Sequence, residues 1–559
     1  MTSVTPAQDL QVSNASLSIA SEFATNGEVF TRRWIVDLIL DLVGFDETND
    51  LGALRTVEPA CGHGAFLIPM VERLSSSLHI HGRSLFDAKD SLRAFDVVEG
   101  NVLQSRMLIH KFLVGAGWPS RESTNILEHW VKTRDYLLLD ENEFNVDYVI
   151  GNPPYIRLED IPNERSNAYR RAWPTMGGRA DIYVGFLEAG LDSLRDRGRL
   201  GFICADRWMR NQYGARIREK IGKSYSVDVS LIAHDVDAFE NQVSAYPAII
   251  VISKAVQGEV VAATADKSLE EDGANSFVNW VRSDSRAYSH SGITGAKLPH
   301  WFRGKDSWPN ASPERLAVLE YLNDNFNPIE DPSTGTRVGI GVATGADEVF
   351  VVPSAINVES ERLLPLIMNR DNRSGAMVWS GHYLVNPWGT DGRLINLTDW
   401  PLTHSYLEAN STVLLKRHVA EARPSRWFAT IDRVDPLLTN RPKLLFADMK
   451  KTIEPVFEGG GHYPHHNLYY VISDVWDLHV LGGLLLSKVA ELFIDAYGVK
   501  MRGGTLRFQA QYLRRIRVPN IDSISIEDQL ELAEAFKKRD SKRATDVSLR
   551  LYRLHEVPE

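Results

Sequence analysis

Cysteine is nearly absent. Cys61 and Cys204 are the only two in 559 residues and stand far apart, which excludes a disulfide framework and suits a reducing cytoplasm. Long apolar runs are missing as well. The most apolar stretch, VLGGLLLSKVAELFI at 480–494, is cut by Lys488 and Glu491, so it reads as a buried helix and no membrane span is expected. The opening MTSVTPAQDLQV has neither a basic start nor an apolar run, and no secretory leader is expected. Positive charge is in deficit: 62 Lys and Arg against 73 Asp and Glu leave a formal charge of −11. Taken alone this speaks against a polyanionic partner, yet it decides little, because binding follows where positive charge is concentrated. No internal repeat or long low-complexity segment is seen. A composition of 43% hydrophobic and 24% charged residues is that of a soluble globular protein, long enough for two or three cores.

What is present is alternation. Between Phe30 and Ser253 helical patterns such as WIVDLILDLVGF interleave with short apolar runs, LRTVEPA, SLRAFDVVE, VDYVIGNPPY, RLGFICADRW and AYPAIIVISKA. DIYVGFLEAGLDSLRDRG reads as an amphipathic helix closed by glycine. Such order predicts an α/β domain with a doubly wound, mostly parallel, Rossmann-like sheet, whose ligands sit beyond the carboxyl ends of the strands. The composition then shifts: SDSRAYSHSGITG and NPIEDPSTGTR are rich in Ser, Gly, Pro and Asp, the signature of connecting segments. The expected division is a first domain over 1–285, a linker region over 286–335, a second, mixed α+β domain over 336–525 and a charged helical tail over 526–559.

The residues that carry chemistry follow the strands. TVEPACGHGAFL, 56–67, reads as a strand, a glycine turn and the start of a helix, with Gly62 and Gly64 letting the backbone pass close to a ligand. A dinucleotide turn needs a third glycine, and G-H-G-A-F-L lacks it. The turn also carries Glu58 ahead of Pro59, Ala60 and Cys61, and a carboxylate there suits a positively charged ligand rather than a phosphate. Asp96 or Glu99, at the end of AFDVVEG, is placed to accept from ribose hydroxyls, Asp96 being nearer the strand end. In TRDYLLL, Asp135 can accept from a base amino group while the Tyr136 ring stacks on the base. Together these describe a nucleoside with a cationic appendage. The sharpest signal is GNPPYIRL. Pro153 and Pro154 remove two N–H donors and stiffen a turn. It then offers the Asn152 amide and carbonyl oxygens as acceptors beside the Tyr155 ring, a pocket for a planar amino group.

These motifs, in this order, resemble those of the TaqI-type (gamma-order) DNA adenine-N6 methyltransferases of type II restriction–modification systems. FATNGEVFTRRWIVDLIL resembles the segment that borders the methionine end of the cofactor in that family, which assigns Thr31 to the cofactor site. DAFENQVSAYPAIIVI resembles the region supplying a second aromatic, here Phe239, to the base pocket. VGIGVATGADEVFVV and YLRRIRVPN resemble the opening and closing segments of the target-recognition domain. The resemblance covers most of the chain and is strongest to about residue 252. It implies S-adenosylmethionine as cofactor, held by Thr31, Glu58, Pro59, Ala60, Cys61, Gly62, Asp96, Asp135, Tyr136 and Asn152. It implies Asn152, Pro153, Pro154, Tyr155 and Phe239 as the catalytic set. They would accept an adenine flipped from double-stranded DNA and methylate it by direct in-line transfer. A separate cognate restriction endonuclease, a cytoplasmic location and a monomeric enzyme are expected with it. An amino-methyltransferase acting on RNA or on protein glutamine, or a non-catalytic DNA-specificity subunit, are the alternatives. The large second domain disfavours the first and the intact Asn152–Tyr155 loop the second.

For DNA contact the stretches RPSRWFATIDR and MRGGTLRFQAQYLRRIR point to Arg426, Arg502, Arg507, Arg514 and Arg515 as phosphate or guanine ligands. HYPHHN carries His462, His465 and His466 with no cysteine or spaced ligand nearby, so a polar loop without metal is expected. DPLLTNRPKLLFADMKK faintly resembles a nuclease pattern in Asp435, Asp448 and Lys450, but its proline is misplaced and no nuclease is expected.

Overall fold

The computed structural model describes residues 29–139, 145–240, 246–302, 304–309, 311–353, 356–373, 375–498, 500–501 and 505–558. The chain divides after Leu316 into two compact units. The first is built on a ten-stranded sheet of order β3-β2-β1-β4-β5-β7-β6-β8-β10-β9. Its strands are β1 Thr56–Glu58, β2 Leu92–Asp96, β3 Val131–Thr133, β4 Val146–Gly151, β5 Leu194–Ala205, β6 Ser226–Ile232, β7 Pro247–Ser253, β8 Val260–Ala265, β9 Ala287–His290 and β10 Ile293–Leu298. β3, β2, β1, β4 and β5 run parallel, and β7 lies antiparallel between β5 and β6.

Burial on both faces explains the near-continuous apolar runs of these strands. In β7, Ile249 and Val251 enter one core while Ile250 and Ile252 enter the other, as the two-residue period of a strand requires. The helix Arg33–Val43 packs its apolar stripe into the first core. It stops at Gly44, whose φ of 80° ends it in a left-handed turn. The helix Tyr183–Ser193 is buried nearly all round, so the amphipathic reading of DIYVGFLEAGLDSLRDRG is corrected. Nor does Gly198 close it: the strand begins at Leu194, and a side chain at Gly198 would stand 2.7 Å from the Val146 carbonyl oxygen.

The 286–335 stretch differs from a linker. Ser291 and Gly292, with φ of 50° and 79°, form the two-residue turn of a β9–β10 hairpin that extends the sheet, and two positive φ angles in such a turn favour its small residues. Trp301, Phe302 and Trp308 are buried in the second core, and the buried Arg218 donates to the Lys305 and Asp306 carbonyls. The Ser/Gly composition thus marks a tight turn inside the sheet.

The second unit, from Ala317, combines small sheets with helices. The stretch 480–494 falls in two helices, Leu478–Leu485 and Lys488–Tyr497, the second capped by the Ser487 hydroxyl. Among the described residues no helix is long and apolar enough to cross a membrane. The tail helices Ile526–Lys538 and Ser541–Tyr552 belong to this unit, and the first crosses the glycines of VLGG: a side chain at Gly483 would stand 2.5 Å from the Leu532 carbonyl oxygen.

Candidate active site

The loops after β1, β2, β3 and β4 open on one side of the sheet and line a half-open cavity with about 1050 Å³ of empty space, mouth included. The turn after β1 is held by the next strand. Gly62 N–H donates to Asp96 Oδ2 at 2.9 Å, Cys61 N–H to the Phe95 carbonyl at 2.8 Å, and Val98 N–H to Asp96 Oδ1 at 2.8 Å. Gly62 and Gly64 have φ of 48° and 92°, which only glycine adopts freely. Asp96 therefore ties the turn together as well as facing the cavity. Of the two acids left open by the sequence, Glu99 is exposed on the first turn of its helix and does not line the cavity.

Glu58 is 1% exposed, and its Oε2 has no hydrogen-bond partner. Burial, and then the nearby charge of Asp96, push its carboxyl well above the usual range. A buried carboxyl group of this kind calls for a cation beside it.

Asp135 and Tyr136 also line the cavity, but both are engaged. Asp135 Oδ1 accepts from Leu137 N–H at 3.1 Å, while its Oδ2 accepts from Arg165 and, at 2.7 Å, from the Tyr169 hydroxyl. The Tyr136 ring is buried against Phe186, 5.9 Å away and near parallel, and its hydroxyl meets Ser193. Arg165 and Tyr169, four apart on the helix Asn163–Ala172, were not singled out by the sequence. Their spacing on one helical face was the available signal.

Asn152 is oriented by its neighbours. Its Nδ2 donates to the Val29 carbonyl at 3.0 Å and to Thr31 Oγ1 at 3.2 Å. A carbonyl can only accept, so the amide nitrogen belongs on that side. Oδ1 is left buried without a partner. The Val29–Arg32 segment is itself pinned across the site: Arg32 N–H donates to the Ala238 carbonyl at 3.0 Å and Glu240 N–H to the Phe30 carbonyl at 2.9 Å. Thr31 and Phe239 are thereby paired although remote in sequence. On the other flank Ile182 N–H donates to the Ile156 carbonyl at 2.8 Å. His63, whose role the sequence leaves open, stacks on Phe30 at 5.0 Å and 20°.

Tyr155 and Phe239 come together edge to face, ring centroids 6.4 Å apart at 78°. A base sandwiched between rings needs them parallel and about 7 Å apart, two stacking distances. The expected sandwich is therefore not formed here, and one ring must turn to admit a base.

The recognition arginines diverge. Arg507 is paired with Asp448 at 2.6 Å, Arg514 with Glu330 at 3.0 Å and with the Val338 carbonyl, and Arg515 lies over the Tyr497 ring. Arg426 is exposed on the turn Pro424–Arg426. Arg502 lies outside the described residues.

A mixed sheet with five parallel strands on the side of the cavity and β7 and β10 antiparallel beyond them, an uncompensated carboxyl at its glycine turn and a rigid acceptor loop beside it define an α/β enzyme of the methyltransferase class. Similarity to known proteins narrows this. Residues 77–239 match the family described as the Eco57I restriction-modification methylase. The chain is 38% identical over 550 residues to the type II methyltransferase M.PaeR7I of Pseudomonas aeruginosa, spanning 97% of this chain and 95% of that one. It is 37% identical over 545 residues to M.XhoI of Xanthomonas vasicola, spanning 95% and 98%. The protein belongs to the type II restriction–modification methyltransferases. In fold it is similar to the type IIL restriction-modification enzyme MmeI, solved in complex with DNA, at a TM-score of 0.54 over 97% of this chain and 74% of that one with 13% identity.

Proposed function

We propose that this DNA methyltransferase is of the TaqI type and transfers a methyl group from S-adenosylmethionine to adenine N6 within a specific duplex sequence. The base is flipped from the helix, and the modification protects the site from a separate cognate endonuclease. The observation that carries the reading is the buried, unpartnered Oδ1 of Asn152 beside a cavity that also holds an unpartnered carboxyl. The two orphans ask for opposite partners, a donor amino group and a cation. S-adenosylmethionine, when bound, supplies an electrophilic methyl on a sulfonium, and its ammonium is the cation that Glu58 lacks. Thr31, Pro59, Ala60, Cys61, Gly62 and Asp96 would hold its amino-acid and ribose parts. Asp135 keeps one Oδ1 acceptor position for the adenine ring, because Leu137 takes only one of that oxygen's two.

The chemistry asked of the chain is modest. An adenine amino nitrogen is a weak nucleophile because its lone pair is delocalised into the ring. Asn152 Oδ1 and the Pro153 carbonyl accept its two hydrogens, which favours a pyramidal nitrogen and stabilises the positive charge that grows on it. Positioning supplies the rest, and no residue forms a covalent bond. The methylated nitrogen is acidic enough to release its proton to solvent, so no strong base is required. Tyr155 and Phe239 give the flipped base its stacking surface once a ring turns.

The test is transfer of label from S-adenosylmethionine to plasmid DNA, with modified bases mapped by sequencing. N6-methyladenine at a single sequence context is expected. Label only in RNA or protein, or N4-methylcytosine in the DNA, defeats the reading. Asn152→Ala should lower turnover by about 10²–10³-fold, as loss of a transition-state hydrogen-bond partner does, with S-adenosylmethionine binding nearly unchanged in calorimetry.

A further inference from the structure

The segment HYPHHN reads in sequence as a polar loop because no spaced ligand stands near it. The fold brings one. Asp347, far upstream in the chain, places Oδ2 3.0 Å from His465 Nε2, and the His465 and His466 rings lie 4.1 Å apart at 52°. One ligand atom from each of Asp347, His465 and His466 falls within 4.8 Å of the other two.

The backbone around these three is fixed from both sides. Val342 N–H donates to the Pro464 carbonyl at 2.9 Å, His466 N–H to the Val342 carbonyl at 3.0 Å, and His465 N–H to the Ile367 carbonyl at 2.9 Å. Asp347 is turned by the Thr344 hydroxyl, which occupies Oδ1 and leaves Oδ2 for the imidazole. His465 is only 4% exposed, whereas the Asp347 side chain is 49% exposed and His466 is open to solvent. The cluster thus has a rigid buried floor and an open mouth. A histidine merely anchored by a carboxylate would need no second imidazole over the same point, and His466 is the feature that such an anchor leaves unexplained.

Ligand atoms on a tetrahedral zinc ion, each about 2.0–2.1 Å from the metal, stand about 3.3 Å from one another. The 3.0 Å edge is already near that spacing, and the exposed His466 side chain can close the remaining distance. We propose that Asp347, His465 and His466 form a binding site for one divalent transition-metal ion of the zinc class in the second unit. Two imidazole nitrogens with one carboxylate favour zinc, cobalt or nickel over magnesium or calcium, which take oxygen ligands. Solvent completes the coordination on the open side. The ion takes the place of the His465–Asp347 hydrogen bond; the neutral imidazole then carries its one N–H on Nδ1, which has no partner in the fold, so Nε2 is free to ligate. By joining the start of the short helix Asp347–Phe350 to the 463–466 segment, the ion ties together two parts of the unit that are remote in sequence, and it stabilises the fold by mass action.

The full-length protein, stripped with chelator and dialysed, is titrated with cobalt(II) chloride while visible absorption is read, and then with zinc chloride by calorimetry. One ion per chain is expected, with zinc displacing cobalt and raising the melting temperature. His466→Ala changes an exposed side chain and leaves the Asp347–His465 hydrogen bond in place, so it keeps the fold; it should weaken binding at least about tenfold. Asp347→Asn should do the same and abolish the zinc-induced rise in melting temperature. Unchanged stoichiometry and affinity in both variants, or no binding by the parent protein at submillimolar metal, overturns the proposal. Methylation activity does not enter either readout.

Discussion

Glu58 sets stability against binding. Its carboxyl is buried at the end of β1 with one oxygen unpartnered, and its pKa is raised by burial first and by Asp96 second. A carboxyl whose pKa is raised in the fold keeps its proton where the unfolded chain has lost it. Its stability contribution is present at low pH and is lost as pH climbs from the ordinary carboxyl range through the raised value. Glu58→Gln removes that slope. The ligand-free variant should melt at a higher temperature than the parent at neutral pH in differential scanning fluorimetry, while its affinity for S-adenosylmethionine falls by about tenfold or more, as removing one member of a buried charge pair implies. An affinity that stays level would mean the ammonium rests elsewhere. Asp96 shows a second residue-scale point: a side chain read as a ligand is also a strut, since two backbone N–H groups of the site converge on it.

At the scale of elements, close approach decides which helices meet. The glycines of VLGG let the helix Ile526–Lys538 cross Leu478–Leu485 with backbone near backbone. Phe536 and Leu532 lie where side chains at Gly482 and Gly483 would be. Gly483→Ala places a methyl 2.5 Å from the Leu532 carbonyl oxygen, an overpacking that costs about 1–3 kcal/mol. Urea unfolding should show that drop in stability, and limited proteolysis should release the last two helices first. Variant and parent with the same midpoint would show that the two helices part without cost. The same reasoning explains why a tail that looks detachable by its charge belongs to the second unit.

For the whole molecule the question is how a chain of net charge −11 binds DNA. Association with a polyanion depends on local positive charge and on released counterions, and removing one phosphate-neutralising side chain reduces the log–log salt slope by about 0.9. Arg426 is exposed, whereas Arg507 and Arg514 are committed to Asp448 and Glu330. Arg426→Ala should therefore lower the salt slope of duplex binding by about one unit. Arg514→Ala should act mainly on stability, through its bonds to Glu330 and Val338. Fluorescence anisotropy across a salt series separates the two, and equal slopes for both variants would reject the assignment of Arg426.

Much of this protein was legible in its sequence, because strand order and loop chemistry are local. β1, β2, β3 and β4 end where their acids and the N-P-P-Y turn begin, and parallel strands deliver those ends to one side of the sheet. Gly62, Glu58 and Asn152 could be named because a positive φ, a lone acid and a donor-poor turn are properties of a few consecutive residues. What neighbours do to those residues is a matter of tertiary packing. Composition could not distinguish a linker from the Ser291–Gly292 hairpin, since small residues serve both. It could not show that Asp135 is held by Arg165 and Tyr169, that Tyr155 meets Phe239 by its edge, or that Asp347 lies against His465. The chemical groups were determined residue by residue along the chain; which lone pairs they keep free was decided only when distant segments packed, because each hydrogen bond formed within the fold removes one acceptor from the site.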